Sequence, residues 1–240
     1  MTMPLMKFRK LALALSLCVA LPAMANPWDI ERLASSDHTH ISLKENKVSV
    51  NQMRLISAIF YRVSAAAELE PSLLLIEGSK PNAAAGLVNG RPTVMINMGM
   101  LKLIGSESDQ WAALLGHELA HLKLGHSDTG QSRRATLSLL TELINAGAGY
   151  DYATQYGTQI VAQLIDTKFS RDQERTSDYL GAIWAIEADY DPNGGAELHR
   201  KMYKSYGSKG IPFLSSHPTG PDRIKALSEL ADRLTPTDLN

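Results

Sequence analysis

The chain has a single cysteine, Cys18, and it lies in the apolar run "LALALSLCVALP" near the N-terminus. Once that run is removed no thiol remains, so no disulfide holds the fold, and a thiol-free chain suits an oxidising compartment. Charge of one sign is also missing: 24 lysines and arginines stand against 25 aspartates and glutamates, with no basic tract. This excludes nucleic acid as a partner. Long hydrophobic runs are absent after residue 25, because the most apolar later stretch, "LSLLTELINAGAGYDY", is broken by Glu142 and Asp151. A span needs about 20 apolar residues, so no transmembrane segment is expected in the mature chain. Internal repeats and long low-complexity linkers are lacking too, and 240 residues with 44% hydrophobic content read as one domain.

The N-terminus has the pattern of a leader. "MTMPLMKFRK" supplies a positive start, the apolar run has the length of a signal core, and Ala23, Met24 and Ala25 form a small-x-small cleavage site. Residues 1–25 are expected to be a signal peptide cleaved after Ala25, leaving a mature domain of residues 26–240 outside the cytoplasm. Lipidation at Cys18 is disfavoured because Leu17 precedes it where such sites want a small side chain.

Along the mature chain, Val50, Met53, Ile56, Ile59, Phe60 and Val63 recur at three- and four-residue steps, which predicts a helix ending before Pro71. "SLLLIEGS" and "PTVMINMG" read as short strands, with "KPNAAAGLVNGR" as a turn-rich connection between them. "GMLKLI" reads as a short helix. Ser106 with Asp109 marks the start of another, whose buried stripe is Trp111, Leu114, Leu115, Leu119 and Leu122. Helices are expected at about 131–147 and 153–185, then one through "AELHRKMYKSYG" and a last one after "SSHPTG". The fold class is α+β, mostly helical, with a small sheet ahead of the helix that carries the chemistry.

That chemistry is spelled by "WAALLGHELAHLKLGH". On a helix His117 and His121 lie one turn apart on one face, with Cβ atoms about 5 to 6 Å apart, so both rings can reach one metal at about 2.0 to 2.1 Å. Glu118 points about 100° away from His117, out of ligand position but near a water on the metal. Such a motif arises by shuffling this composition about one time in a hundred, so a third ligand is needed. The spacing H-E-x-x-H-x-x-G-x-x-H is off by one here, and His126 reads as a packing or capping residue near the helix end. "SRDQERTSDYLG" instead offers Glu174 and Asp178 on one helical face. Glu174 can complete a zinc site with His117 and His121, and Asp178 can accept the free ring N–H of His117 and fix its tautomer.

Four stretches in order, "PNAAAG", "LLGHELAHLKLGH", "FSRDQERTSDYLG" and "SSHPTGPDRI", resemble the gluzincin-type zinc metallopeptidases that include the CAAX prenyl endopeptidase and HtpX. The resemblance is to their soluble periplasmic bacterial branch and runs from about residue 49 to 235. Pro81, Asn82 and Ala83 match the first stretch, while Ala84 stands where the family has an aromatic. The resemblance implies a zincin-like domain with one zinc ion per chain, and an edge strand formed by Val94, Met95, Ile96 and Asn97. That strand, together with Asn82 and Ala83, would bind extended polypeptide. It also implies a periplasmic role in envelope protein quality control, with unfolded polypeptides as substrates and the outer-membrane assembly machinery as a partner. Glu118 would act as the base. His217, in the fourth stretch, would either donate to the oxyanion or fill the open zinc position at rest, and Arg223 would anchor its loop. His38, His40 and His199 have no partner at ligand spacing and are read as ordinary surface or packing residues.

Two functions use the same ligands: a zinc endopeptidase cutting misfolded or misassembled envelope proteins, and a zinc-bound holdase or assembly factor with little proteolysis. Intact Glu118 favours the first, because a binding module needs no base beside the metal. A metal-free interaction module requires HExxH, ExxxD and HPxxxxR to coincide in that order by chance.

Overall fold

The computed structural model describes residues 29–43, 46–88, 91–126 and 169–234. The leader with Cys18 and Ala25, and the helices expected at 131–147 and over 153–168, lie outside these residues.

The first described helix is α1 (Ile30–Ala34), capped by the Asp29 carboxylate, and it is followed by a hairpin of β1 (His40–Leu43) and β2 (Asn46–Ser49). The sequence pattern predicts no element ahead of the stripe that begins at Val50. This region folds because Ile30, Leu33, Leu43 and Val48 are buried in the main core. Next comes α2 (Val50–Ala66), whose Val50, Met53, Ile56, Ile59, Phe60 and Val63 form the expected buried stripe.

The sheet consists of β3 (Ser72–Ile76), β4 (Ala83–Val88) and β5 (Arg91–Asn97), in the spatial order β3-β5-β4. β5 pairs parallel with β3 and antiparallel with β4. Two expectations are corrected here. The supposed turn-rich connection contains β4, because its small residues Ala83, Ala84 and Ala85 are buried against β5. Val94, Met95, Ile96 and Asn97 are not an edge strand: β5 is central and all four residues are buried, as a run of apolar residues bonded on both sides should be.

After α3 (Met98–Ile104) comes α4 (Ser108–Lys123), the motif helix. It starts two residues beyond the predicted Ser106, with Glu107 at the cap position and no side-chain cap bond. Trp111 fixes the preceding turn by donating from Nε1 to Gly105 O at 3.0 Å, and the Asp109 carboxylate accepts from Asp191 N at 3.0 Å. The remaining helices among the described residues are α5 (Arg171–Glu187), α6 (Gly194–Tyr206), α7 (Phe213–Ser216) and α8 (Pro221–Arg233). α5 begins at Arg171 because Ser170 and Gln173 form a capping box. α4 packs on α5, α2 covers both, and α6 lies against α4 and α8. No described helix is long and apolar enough to cross a membrane.

Candidate metal centre

The centre is built where α4 crosses α5. Gly116 and Gly181 face each other at this crossing, and a Cβ on Gly116 would fall 2.8 Å from Gly181 O, a distance that Cβ atoms do not tolerate. Glycine at both positions lets the backbones touch, and so brings Glu174, seven residues before Gly181 and on the same face, onto His117 and His121. His117, Glu118, His121, Glu174 and His217 are all at most 6% exposed.

Nε2 of His117 lies 3.0 Å from Nε2 of His121 and 3.0 Å from Nδ1 of His217. Glu174 Oε1 is 3.0 Å from His217 Nδ1 and 3.4 Å from His121 Nε2. One ligand atom from each of these four residues fits within 4.8 Å of the others. His117 Nδ1 lies 2.9 Å from Asp178 Oδ1, so a ring proton carried on Nδ1 faces a carboxylate and Nε2 is the nitrogen turned towards the other ligands. Ring nitrogens this close, buried beside a carboxylate, repel one another unless a cation or protons lie between them. Nitrogen donors with one carboxylate are the set that zinc takes. The residues therefore fit a metal.

The outer shell is anionic and tightly paired. Arg223 donates from Nη2 to Asp178 Oδ1 at 2.8 Å and from Nε to Oδ2 at 3.2 Å. Its Nη1 donates to Glu174 Oε2 and to Pro218 O, the latter at 2.9 Å. Burial alone would raise Glu174 and Asp178. Hydrogen bonds from His121 and His217 to Glu174 outweigh it, as does the Arg223 charge for Asp178, and both carboxyls sit well below the usual range. Burial pushes His121 down to about 2, a ring kept neutral and able to ligate. His117 is also pushed down by burial, but its Asp178 contact and the Glu174 charge raise it overall.

Glu118 differs from the other acids. Burial raises its pKa, its Oε1 has no hydrogen-bond partner among the described residues, and the ring nitrogen facing it, His217 Nε2, is 3.6 Å away. A carboxylate whose pKa is raised by burial is suited to take a proton.

The structure thus brings His117, Glu118, His121, Glu174, Asp178, His217 and Arg223 into one cluster. It does not bring Asn97 to it as a free side chain: Asn97 Oδ1 accepts from Asn82 N and Met100 N, and Nδ2 donates to Lys80 O at 2.8 Å, so Asn97 ties the end of β5 to the loop before β4. Asn82 and Ala83 lie at the start of β4, which packs on α4. Sequence reading missed Phe169, whose ring centroid is 3.8 Å from that of His121 and 5.0 Å from that of His217. Its position just before "SR" in the third stretch was the available signal. His126 was read as a helix-end residue and in fact lies against the far side of His121, Nδ1 to Nδ1 at 3.1 Å.

A helix bearing two histidines one turn apart, a glutamate from the helix crossing it and a small mixed sheet alongside define a zincin-like metallopeptidase domain. The chain belongs to peptidase family M48, whose sequence profile matches residues 45–231. It is 31% identical, over 70% of its length and 48% of the relative's, to the mitochondrial metalloendopeptidase OMA1 of Schizosaccharomyces pombe. It is 29% identical to a protein of Vibrio cholerae named "Putative beta-barrel assembly-enhancing protease", over 61% of this chain and 32% of that one. It is also 28% identical to a protease HtpX homolog of Bordetella avium, over 73% and 70% of the two chains. The match thus spans about half the length of the fission-yeast relative and a third of the Vibrio cholerae one.

Proposed function

We propose that the chain is a zinc-dependent endopeptidase that cuts unfolded or misassembled proteins of the cell envelope. The observation carrying this reading is the buried convergence of His117, His121 and Glu174 beside a carboxylate, Glu118, that lacks a hydrogen bond on Oε1. These three residues would hold the ion, and Asp178 would keep His117 Nε2 available by accepting from the proton at Nδ1. When bound, zinc supplies Lewis acidity that acidifies a water and polarises the scissile carbonyl. Glu118 accepts the water's proton and returns it to the leaving amine, a transfer favoured by a raised carboxyl pKa. His217 faces Glu118 through Nε2 and is placed to donate to the oxyanion. The substrate strand adds to the outer side of β4, beside α4, with Asn82 and Ala83 at its start. β5 has no free side for this pairing.

The leader pattern in residues 1–25 supports a periplasmic location, and the name of the Vibrio cholerae relative supports a link to beta-barrel assembly. One further observation favours a resting form: His217 Nδ1, rather than pointing to solvent, lies 3.0 Å from both His117 Nε2 and Glu174 Oε1, where it fills a fourth donor position until its loop moves.

The test is metal content by elemental analysis, with casein cleavage, on protein beginning at Asn26 and on Glu118→Gln. The expected result is about one zinc in each and cleavage by the wild type alone, with the variant at least about 100-fold slower. Zinc in both with cleavage by neither would favour the holdase reading or a closed enzyme. Absence of bound metal would sink the proposal.

A further inference from the structure

His217 sits in a four-residue bridge, residues 217–220, between α7 and α8. The bridge has little backbone support: His217 N donates to Phe213 O at 2.9 Å, and Gly220 O accepts from Ile224 N at 3.0 Å. Yet His217 is 1% exposed and Thr219 8%. Side chains from outside must therefore hold it. One is Arg223, through Pro218 O. The other is His199 on α6.

His199 Nδ1 lies 2.8 Å from Thr219 Oγ1, two residues after His217, and both side chains are buried. Its ring centroid is 6.5 Å from that of Phe213, four residues before His217, and Phe213 in turn stacks on His217 at 4.6 Å with the planes 24° apart. His199 therefore touches the chain on both sides of His217, while its hydrogen bond goes to Thr219 and not to the metal centre. Burial keeps its ring neutral, with a pKa well below the ordinary histidine value, so Nδ1 pairs with a hydroxyl at no cost of an unmatched charge. The helix bearing it is fixed to the motif helix: Asp191 N, just ahead of α6, bonds Asp109 on α4, and Leu198 and Met202 are in the common core. His199 thus refers the position of the bridge to the same body that carries His117, Glu118 and His121.

We propose that His199 is a positioning residue for His217. Its bond to Thr219 and its ring beside Phe213 hold the bridge so that His217 Nδ1 faces His117 and Glu174 while Nε2 faces Glu118. Arg223 cannot set this alone, since its guanidinium is shared among Glu174, Asp178 and Pro218 O. The inference rests on the role given to His217 above.

The test uses the mature protein and two readouts: the visible absorption of its cobalt(II)-loaded form, which reports the ligands at the metal, and kcat and KM for a peptide substrate. Thr219→Val removes the hydroxyl at constant shape, Thr219→Ser keeps it, and His199→Phe keeps a ring without the nitrogen. Thr219→Val and His199→Phe should both move the cobalt spectrum towards that of His217→Ala. Each should change kcat by about fivefold or more, the scale of one buried hydrogen bond, with KM within about twofold. Thr219→Ser should restore the wild-type values. In a His217→Ala background Thr219→Val should add nothing, because both act through one group. Wild-type behaviour of both Thr219→Val and His199→Phe, or a Thr219→Val effect undiminished in the His217→Ala background, would overturn the inference while leaving His217 its role. If His217→Ala itself matched the wild type in both readouts, the role of His217 would fall first and the inference with it.

Discussion

Glu118 is buried and Asp178 partly so, and their partners make these two carboxylates opposites. Asp178 is held between Arg223 and His117, whereas Glu118 Oε1 faces the centre without a hydrogen bond. Burial disfavours the ionised form of Glu118 and raises its pKa, so a charge there is kept at the expense of stability. Glu118→Gln should therefore raise the midpoint of thermal unfolding of the metal-free protein while abolishing cleavage, and a lower midpoint would contradict this account. Asp178 works through His117. Asp178→Asn should leave the protein folded but weaken zinc binding by about 10- to 100-fold, the usual effect of losing a partner behind a ligating histidine. Competition with a chromophoric chelator measures it. Arg223→Gln should be more damaging, since it leaves Glu174 and Asp178 without the cation they share. A loss of about 3 to 5 kcal/mol is expected from breaking such a pair, read from denaturant unfolding at neutral pH.

At the scale of elements, the crossing of α4 and α5 sets the ligand distances. A Cβ on Gly181 would lie 2.7 Å from His117 N, backbone that cannot step aside. Gly181→Ala should push the helices apart, costing about 1 to 3 kcal/mol as overpacking does. It should also lower metal affinity, because Glu174 and the two histidines are carried on opposite sides of the contact. A variant with wild-type affinity would show that the crossing has slack. The start of α5 matters less: Ser170→Ala removes its cap, about 1 kcal/mol, and should reduce stability without changing the ligand set.

For the molecule as a whole, the metal site joins three parts of the chain: α4, α5 and the bridge before α8. An ion bound there stabilises the folded state by mass action, about 2.7 kcal/mol at free metal 100-fold above the dissociation constant. A chelator should abolish cleavage and lower the unfolding midpoint together, and added zinc should restore both. Loss of activity with an unchanged midpoint would mean that the metal plays no part in holding these elements.

The sequence by itself determined what depends on local geometry. Placing His117 and His121 on one face needs only the helix period, and the same holds for Glu174 with Asp178 and for the stripe of α2. Tertiary structure alone decided what depends on contacts between distant segments. β3 pairs with β5 although β4 lies between them in the sequence, so which strand is central could not be read from chain order, and residues 94–97 were misplaced. His199 looked like an ordinary helical histidine because its partner, Thr219, lies 20 residues away. Phe169 and His126 take their places only when α5 docks on α4. Periodicity is written in neighbouring residues, whereas register and docking are set by which surfaces exclude water together, and that choice is made by the whole chain at once.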